Sequence, residues 1–483
     1  TQLRKAGQAA FAGCTSLEYV KLSRYTSIAD DMFLGCIKLS TLEYTDVTAA
    51  NIDSITYGNA QSPFDGCNIT QIKFADSADV IVVDSSTGAI YGDAGMTKLI
   101  KVLQNVTEFT VPASVTEIAP NAFSGNASLK KVTFAAGGNL EKIGAYAFSG
   151  TGISEITIPA TVTYIGEGAF SWCENLTKAD LSAYAGTIPE EAFSNSSVSA
   201  VTWGAGITAI ASRAFYHTAL TTLDLTGTAV TSIGDSAFAS CPYLRTVKLG
   251  AVSELGSSVF AAGSNTSLKS VSFGEGSDTL GTYTFYGQSG LTTLSLPASI
   301  LSLKEIGDGV FYMCSSLESD QLAFTSLETI GASTFAGCDS LTTFNVSALK
   351  TIGTQAFSGC SELVIITLEN VTTIGARAFE DCAKIETIVA ENLTDIGDEA
   401  FLGTSLSSIT YSSIKNIGKY AFAYTQLEGR TDGTLVIPVT VETIGEGAFS
   451  GLTALTAFSI DSSNKNYTVL DGILYETFEN DSV

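Results

Sequence analysis

Nine cysteines are the residues best equipped for chemistry: Cys14, Cys36, Cys67, Cys173, Cys241, Cys314, Cys338, Cys360 and Cys382. Each stands three places after a phenylalanine, as in "TIGTQAFSGC" (351–360) and "TIGARAFEDC" (373–382). A thiol at a fixed spacing can be a nucleophile, a metal ligand or half of a disulfide. The partners those roles need are missing. No C-x-x-C occurs and His217 is the sole histidine, so a transition-metal site and a Cys–His nucleophile both lack components. An odd number cannot all pair within one chain. Where Cys is absent, the same place holds Thr151, Thr218, Thr404, Thr425, Asn126 or Ser196. Cys173 lies between copies carrying Thr151 and Ser196, and Cys241 between copies carrying Thr218 and Gly263. A place that accepts Thr or Ser asks for a small, weakly polar group, so buried free thiols are favoured over disulfides. Cys173, Cys241, Cys360 and Cys382 are accordingly read as structural.

Other chemistries fare no better. No G-x-S-x-G elbow, P-loop lysine or dinucleotide fingerprint is present. "DSSNKNYTVLDG" (461–472) offers oxygen donors without EF-hand or nonapeptide spacing, so no calcium site is expected. A glycosidase needs two carboxylates about 5–10 Å apart, but a chain with 49 acidic residues supplies such pairs by accident. The expectation is no catalytic residue, no metal and no cofactor.

What positions the cysteines is a repeat. The phenylalanine recurs at Phe11, Phe33, Phe64, Phe123, Phe148, Phe170, Phe193, Phe215, Phe238, Phe260, Phe285, Phe311, Phe335, Phe357, Phe379, Phe401, Phe422 and Phe449, most often 22 residues apart. Each copy begins L-x-x-L-x-L, whose alternating end reads as a strand. A proline such as Pro159, Pro297 or Pro438 often follows. Then come V-x-x-I-G, whose Gly suits a tight corner, and x-x-A-F-x-x-C. About 22 residues leave no room for a long helix. One copy cannot bury its apolar face, whereas stacked copies can. The expectation is one solenoid over 1–483: about 18 repeats, parallel strands, short turns or 3-10 segments, and each Phe stacked on the next. Phe148, Phe170, Phe238, Phe357 and Phe379 are marked as spine. Residues 75–110 read as an irregular insert. Residues 461–483 read as a second insert-like segment that is cut short, and residue 1 already falls inside a repeat.

Charge narrows the partners. Forty-nine acids against 24 bases give a net charge of −25, which argues against nucleic acid and anionic membranes. No stretch approaches the roughly 18 apolar residues of a membrane span. The variable strand places are mostly Ser and Thr, except that Lys130, Lys131, Lys178, Arg245, Lys248 and Lys269 stand against Glu155, Asp180 and Asp224. Two readings stay open. These cations are ordinary cross-strand charge, or they are a landing strip for an acidic partner such as a sialylated or sulfated glycan. Val364 and Ile365 also occupy variable places, where exposed apolar residues can mark a contact.

The unit L-x-x-V-x-L-P-x-x-V-x-x-I-G-x-x-A-F-x-x-C resembles the BspA-like leucine-rich repeats of bacterial and protist surface proteins. "IGAYAFSG" (143–150), "IGEGAFSW" (165–172), "IGDSAFAS" (233–240) and "IGARAFED" (374–381) carry the likeness. "NYTVLDGILYE" (466–476) fits a hairpin-like D-G-x-L-Y segment common in such proteins, and residues 80–99 look like a degenerate copy. The resemblance implies a leucine-rich-repeat solenoid, monomeric, secreted or displayed at the cell surface, that adheres to host protein or glycan. The alternative it leaves is a passive spacer displaying another module, and a carbohydrate-active enzyme ranks below both.

Overall fold

A computed structural model of the chain describes residues 7–23, 31–46, 71–74, 82–84, 89–102, 106–263, 267–428 and 432–477, with single positions 29, 67 and 87. Phe64, parts of the 75–110 insert and residues 478–483 lie outside the described residues. The chain divides into two compact units, Thr1–Cys241 and Pro242–Val483. Each is a parallel β-solenoid. Among the described residues the helical pieces are the four-residue turn Ala298–Leu301 and the 3-10 turn Ser319–Gln321.

Among the described residues most rungs contribute to two strand rows; the rung around Ser319–Gln321 has a 3-10 turn in place of the first strand. The L-x-x-L-x-L segment forms the first, as in Glu155–Thr157, Lys178–Asp180 and Ala200–Thr202, which pair in parallel. The I-G segment forms the second. In the second unit that row runs unbroken from Glu305–Ile306 to Thr443–Ile444 through seven parallel strands. Apolar places alternate with solvated ones, so Ile156, Ala179, Leu223 and Val247 are buried while their neighbours are not. The D-G-x-L-Y segment and its degenerate copy depart from this pattern. Val82–Asp84 with Ala89–Tyr91, and Tyr467–Leu470 with Ile473–Glu476, are antiparallel hairpins.

The phenylalanines form the spine. In the first unit Phe123, Phe148, Phe170, Phe193 and Phe215 are each fully buried, and successive rings lie 4.7–5.3 Å apart and within 12° of parallel. In the second unit Phe335, Phe357, Phe379 and Phe401 repeat the pattern at 5.3–5.5 Å. Near-parallel rings at this separation are offset, which suits the ring quadrupoles.

The corner around each Phe is held by backbone bonds between rungs. Tyr146, Phe148 and Gly150 N–H donate to the carbonyls of Glu167, Ala169 and Ser171, at 2.8–2.9 Å. Residues two before and two after the Phe take left-handed backbone, among them Tyr146 (φ 54), Trp172 (φ 57), Gln355 (φ 55) and Asp381 (φ 58). The I-G glycine has a different reason from the one its sequence suggested. It is needed for close approach. A Cβ on Gly166 would sit 2.4 Å from Ala145 N, and one on Gly375 2.6 Å from the Gly353 carbonyl carbon.

Corner side chains also lean onto the following rung. A Cβ on Gly168 would meet the Tyr146 ring at 2.2 Å, one on Gly309 the Tyr283 ring at 2.2 Å, and one on Gly447 the Tyr420 ring at 2.3 Å. Gly451 under Tyr424 and Gly337 under Met313 follow the same rule. At two corners without Gly, opposite charges fill the place: Arg213–Glu191 at 3.4 Å and Arg377–Glu399 at 2.7 Å.

Candidate binding surface

The cysteines settle first. All nine are free, and all but Cys14 are buried. Each buried thiol donates to the carbonyl of the previous rung's Phe: Cys173 to Phe148 and Cys382 to Phe357 at 3.0 Å, Cys241 to Phe215 at 3.2 Å, Cys360 to Phe335 at 3.0 Å. The hydroxyls in the same place bond differently. Thr151, Ser196 and Thr404 donate to the Phe of their own rung, at 2.6–2.8 Å. The corner length follows the choice. After Cys the next core residue comes three places on, as Leu176 after Cys173, and after Thr or Ser it comes two places on, as Ile153 after Thr151. So Cys and Thr are not simple equivalents; each belongs to its own corner. Burial pushes the Cys173 thiol up to about 11 and raises Cys241, Cys314 and Cys338 as well, the opposite of an activated nucleophile. Among the described residues no group of His, Cys, Asp and Glu could hold a metal ion. His217 occupies a left-handed corner position (φ 53), with its N–H bonded to Ala239 O.

The six strand cations are all exposed, but they differ in what they do. In the first unit, Lys130 folds back so that Nζ donates to Ala127 O at 2.9 Å, over the space beside Gly152. In the second, Lys269 Nζ similarly lies over Gly290. These two cover corners. Lys131 stands opposite Glu108, and Lys178 opposite Glu155. The first-unit cations therefore alternate with acids, and no ion pair joins them. Lys21 and Glu43, opposite each other but two places further along the L-x-x-L-x-L unit, do pair at 2.6 Å. In the second unit Lys248 sits opposite Ser272, beside the hydroxyl ladder Thr246, Ser270 and Thr293. Arg245 precedes that ladder, and its carbonyl accepts from Lys269 and Ser270 N–H. Val364 and Ile365 are 47% and 54% exposed.

The first strand row is not continuous. Glu108–Val111 pairs Lys131–Phe134, and Glu155–Thr157 pairs Lys178–Asp180, but no ladder joins Lys131–Phe134 to Glu155–Thr157. The bond from Ser154 N–H to Lys130 O, 3.4 Å, closes one end. Beyond it lies a hollow of about 530 Å³. Val111, Phe134 and Leu140 make its apolar part, Thr133 and Thr157 flank it, Pro112 and Pro159 wall the far end, and Lys131 and Glu155 line it together. The cause is local. The loop after Phe134 reads A-A-G-G-N where neighbours read P-A or similar, and Gly137 is left-handed (φ 67). Phe134 is only half-buried, while its register partner Val111 and its counterpart Ile158 are buried. Sequence reasoning missed this site. Its signal was the 25-residue gap between Phe123 and Phe148.

Two stacked strand rows, a phenylalanine spine and rungs of about 22 residues define a leucine-rich-repeat solenoid. The description "BspA type Leucine rich repeat region" matches six copies over 1–62, 101–221, 165–292, 208–322, 304–428 and 431–480. The chain belongs to this family. No curated protein matches it. Among solved structures it is similar to a leucine-rich repeat protein from Bacteroides ovatus, at 20% identity over 80% of this chain and 83% of that one, with a TM-score of 0.43. It is also similar to a leucine rich cell surface protein from Faecalibacterium prausnitzii, at 24% identity over 60% and 93%, TM-score 0.38. The pneumococcal vaccine antigen PcpA matches at 19% identity over 74% and 70%, TM-score 0.25. Among the described residues no helix is long and apolar enough to cross a membrane.

Proposed function

We propose that the chain is a binding solenoid of the cell surface or extracellular space, contacting a host protein or a glycan through its first strand row. Membership of a repeat family with surface proteins supports the setting. The observation that carries the contact is the alternating, unpaired row Glu108, Lys131, Glu155 and Lys178. Lys131 stands opposite Glu108 and Lys178 opposite Glu155, and no ion pair joins these four exposed charges. Charges of this kind fix orientation and partner choice more than raw affinity. In the second unit, Arg245 and Lys248 are exposed cations beside the hydroxyl ladder Thr246, Ser270 and Thr293.

The experiment is a binding screen of the full chain against extracellular-matrix proteins and sulfated or sialylated glycans. Variants with Lys131 and Lys178 reversed to Glu, and separately Arg245 and Lys248 reversed, follow. A partner lost on either reversal supports the reading. A chain that binds nothing in the screen is a spacer, and a partner indifferent to both reversals uses another face.

A further inference from the structure

We propose that the hollow between Lys131–Phe134 and Glu155–Thr157 binds an apolar α-amino acid in its zwitterionic form. The inference is independent of adhesion and rests on four features of one place.

First, the hollow's size is that of a small-ligand site. Its 530 Å³ falls within the range of roughly 300–1,000 Å³ typical of such sites. Second, its charges are of both signs and at one height. Lys131 and Glu155 hold the same place on consecutive rungs, each one residue before the buried Val132 and Ile156. With no strand ladder between them and no ion pair joining them, an ammonium and a carboxylate face one space. A ligand with only one charge would satisfy one of them and leave the other unmatched. A zwitterion satisfies both, its carboxylate on Lys131 and its ammonium on Glu155. Third, hydroxyls flank this head-group position. Thr157 is exposed and Thr133 half-buried, and Thr133 Oγ1 lies 2.8 Å from Thr110 Oγ1. Fourth, the far end is apolar. Val111, Phe134, Leu140, Pro112 and Pro159 line it, and the half-exposed Phe134 gains most from being covered by an aliphatic or aromatic side chain.

A second break in the strand row provides the contrast. Between Ser408–Thr410 and Thr434–Ile437 of the second unit lies a hollow of about 340 Å³, lined by Ser407, Thr410, Tyr411, Leu435 and Pro438. It is also apolar with hydroxyls, but among the described residues no charged one lines it. Both hollows lie at ladder breaks, and the Lys131–Glu155 pair gives the first one its chemistry.

The test is titration calorimetry of the full chain with L-leucine and L-phenylalanine, beside N-acetyl-L-leucine, L-leucinamide and N-acetylneuraminate. Saturable binding of the free amino acids is expected, with N-acetylation or amidation weakening it about tenfold each, the loss of one charge-assisted contact. Glu155→Gln and Lys131→Met should each weaken leucine by a similar factor. Thr157→Trp, a filling change at an exposed residue, should abolish binding while circular dichroism stays that of the parent. Four results overturn the proposal: no saturable binding at millimolar amino acid, equal binding of leucine and its N-acetyl form, unchanged binding by a folded Thr157→Trp chain, or binding of N-acetylneuraminate that depends on Lys131 alone. The last would make the hollow an acidic-glycan site.

Discussion

At the scale of single residues, the molecule separates side chains that build rungs from side chains that remain available. Phe357 is fully buried and stacked on both sides, by Phe335 at 5.3 Å and Phe379 at 5.5 Å. Phe357→Ala should cost roughly 3–5 kcal/mol by urea denaturation, and a loss below ~1 kcal/mol would remove the spine from the account. The thiols give a pH signature. Cys173 is held near 11 when folded and near 8.5 when unfolded. Because the folded value is raised, the folded state keeps protons that the unfolded state releases. This stabilising contribution is whole below about pH 8.5 and is lost as pH rises towards 11. The urea midpoint should fall across that window, less steeply in Cys173→Ala, and iodoacetamide should label the buried thiols only after unfolding. The cysteine question was half answered by the sequence. Thr151 and Ser196 in equivalent places showed that the thiol is architectural. That its hydrogen reaches the previous rung, while a hydroxyl stays on its own, depends on backbone positions no residue list contains.

At the scale of the rung, corner length and corner residue act together. Cys173→Thr alone should destabilise by roughly 1 kcal/mol, because a hydroxyl is placed in the long corner of a Cys rung and the thiol's bond to Phe148 O is lost, although that carbonyl keeps Thr151 as donor. Removing Asn175 as well converts the segment to the short corner of the Thr rungs and should restore part of the loss in the same denaturation measurement. Gly166→Ala places a methyl 2.4 Å from Ala145 N, backbone that cannot step aside, so a loss of about 1–3 kcal/mol is expected from the forced shift. The period, the two strands and the Pro and Gly punctuation were legible because each reflects local chemistry repeated many times. The hollow was not, since it arises from two strands failing to pair. Its traces in the sequence are the 25-residue gap between Phe123 and Phe148 and the atypical loop, A-A-G-G-N, after Phe134. The cations at Lys130 and Lys269 were legible as charge but not as corner covers, because the direction in which a lysine folds is set by the empty space beside Gly152 and Gly290.

At the scale of the whole molecule, a net charge of −25 and an isoelectric point near 4.3 keep chains apart at neutral pH. Turbidity should peak close to pH 4.3 and clear on return to pH 7. The same charge makes a basic or polyanionic-binding role depend on local exceptions. The lysines of the first strand row are such exceptions, and Lys131 and Lys178 each have an acid as register partner. Recognition here is thus expected to be dipolar and selective, with modest sensitivity to salt.

The lean of each corner side chain onto the following rung has a consequence for how such chains change over generations. A tyrosine at Tyr146, Tyr283 or Tyr420 demands a glycine next in line, and Arg377 has a glutamate there. At these places a rung is matched to one particular neighbour. Duplicating, deleting or reordering a single rung by recombination therefore breaks a match at its new boundary, whereas moving a matched pair carries its own complement along. The heritable module of this solenoid is the pair of adjacent rungs.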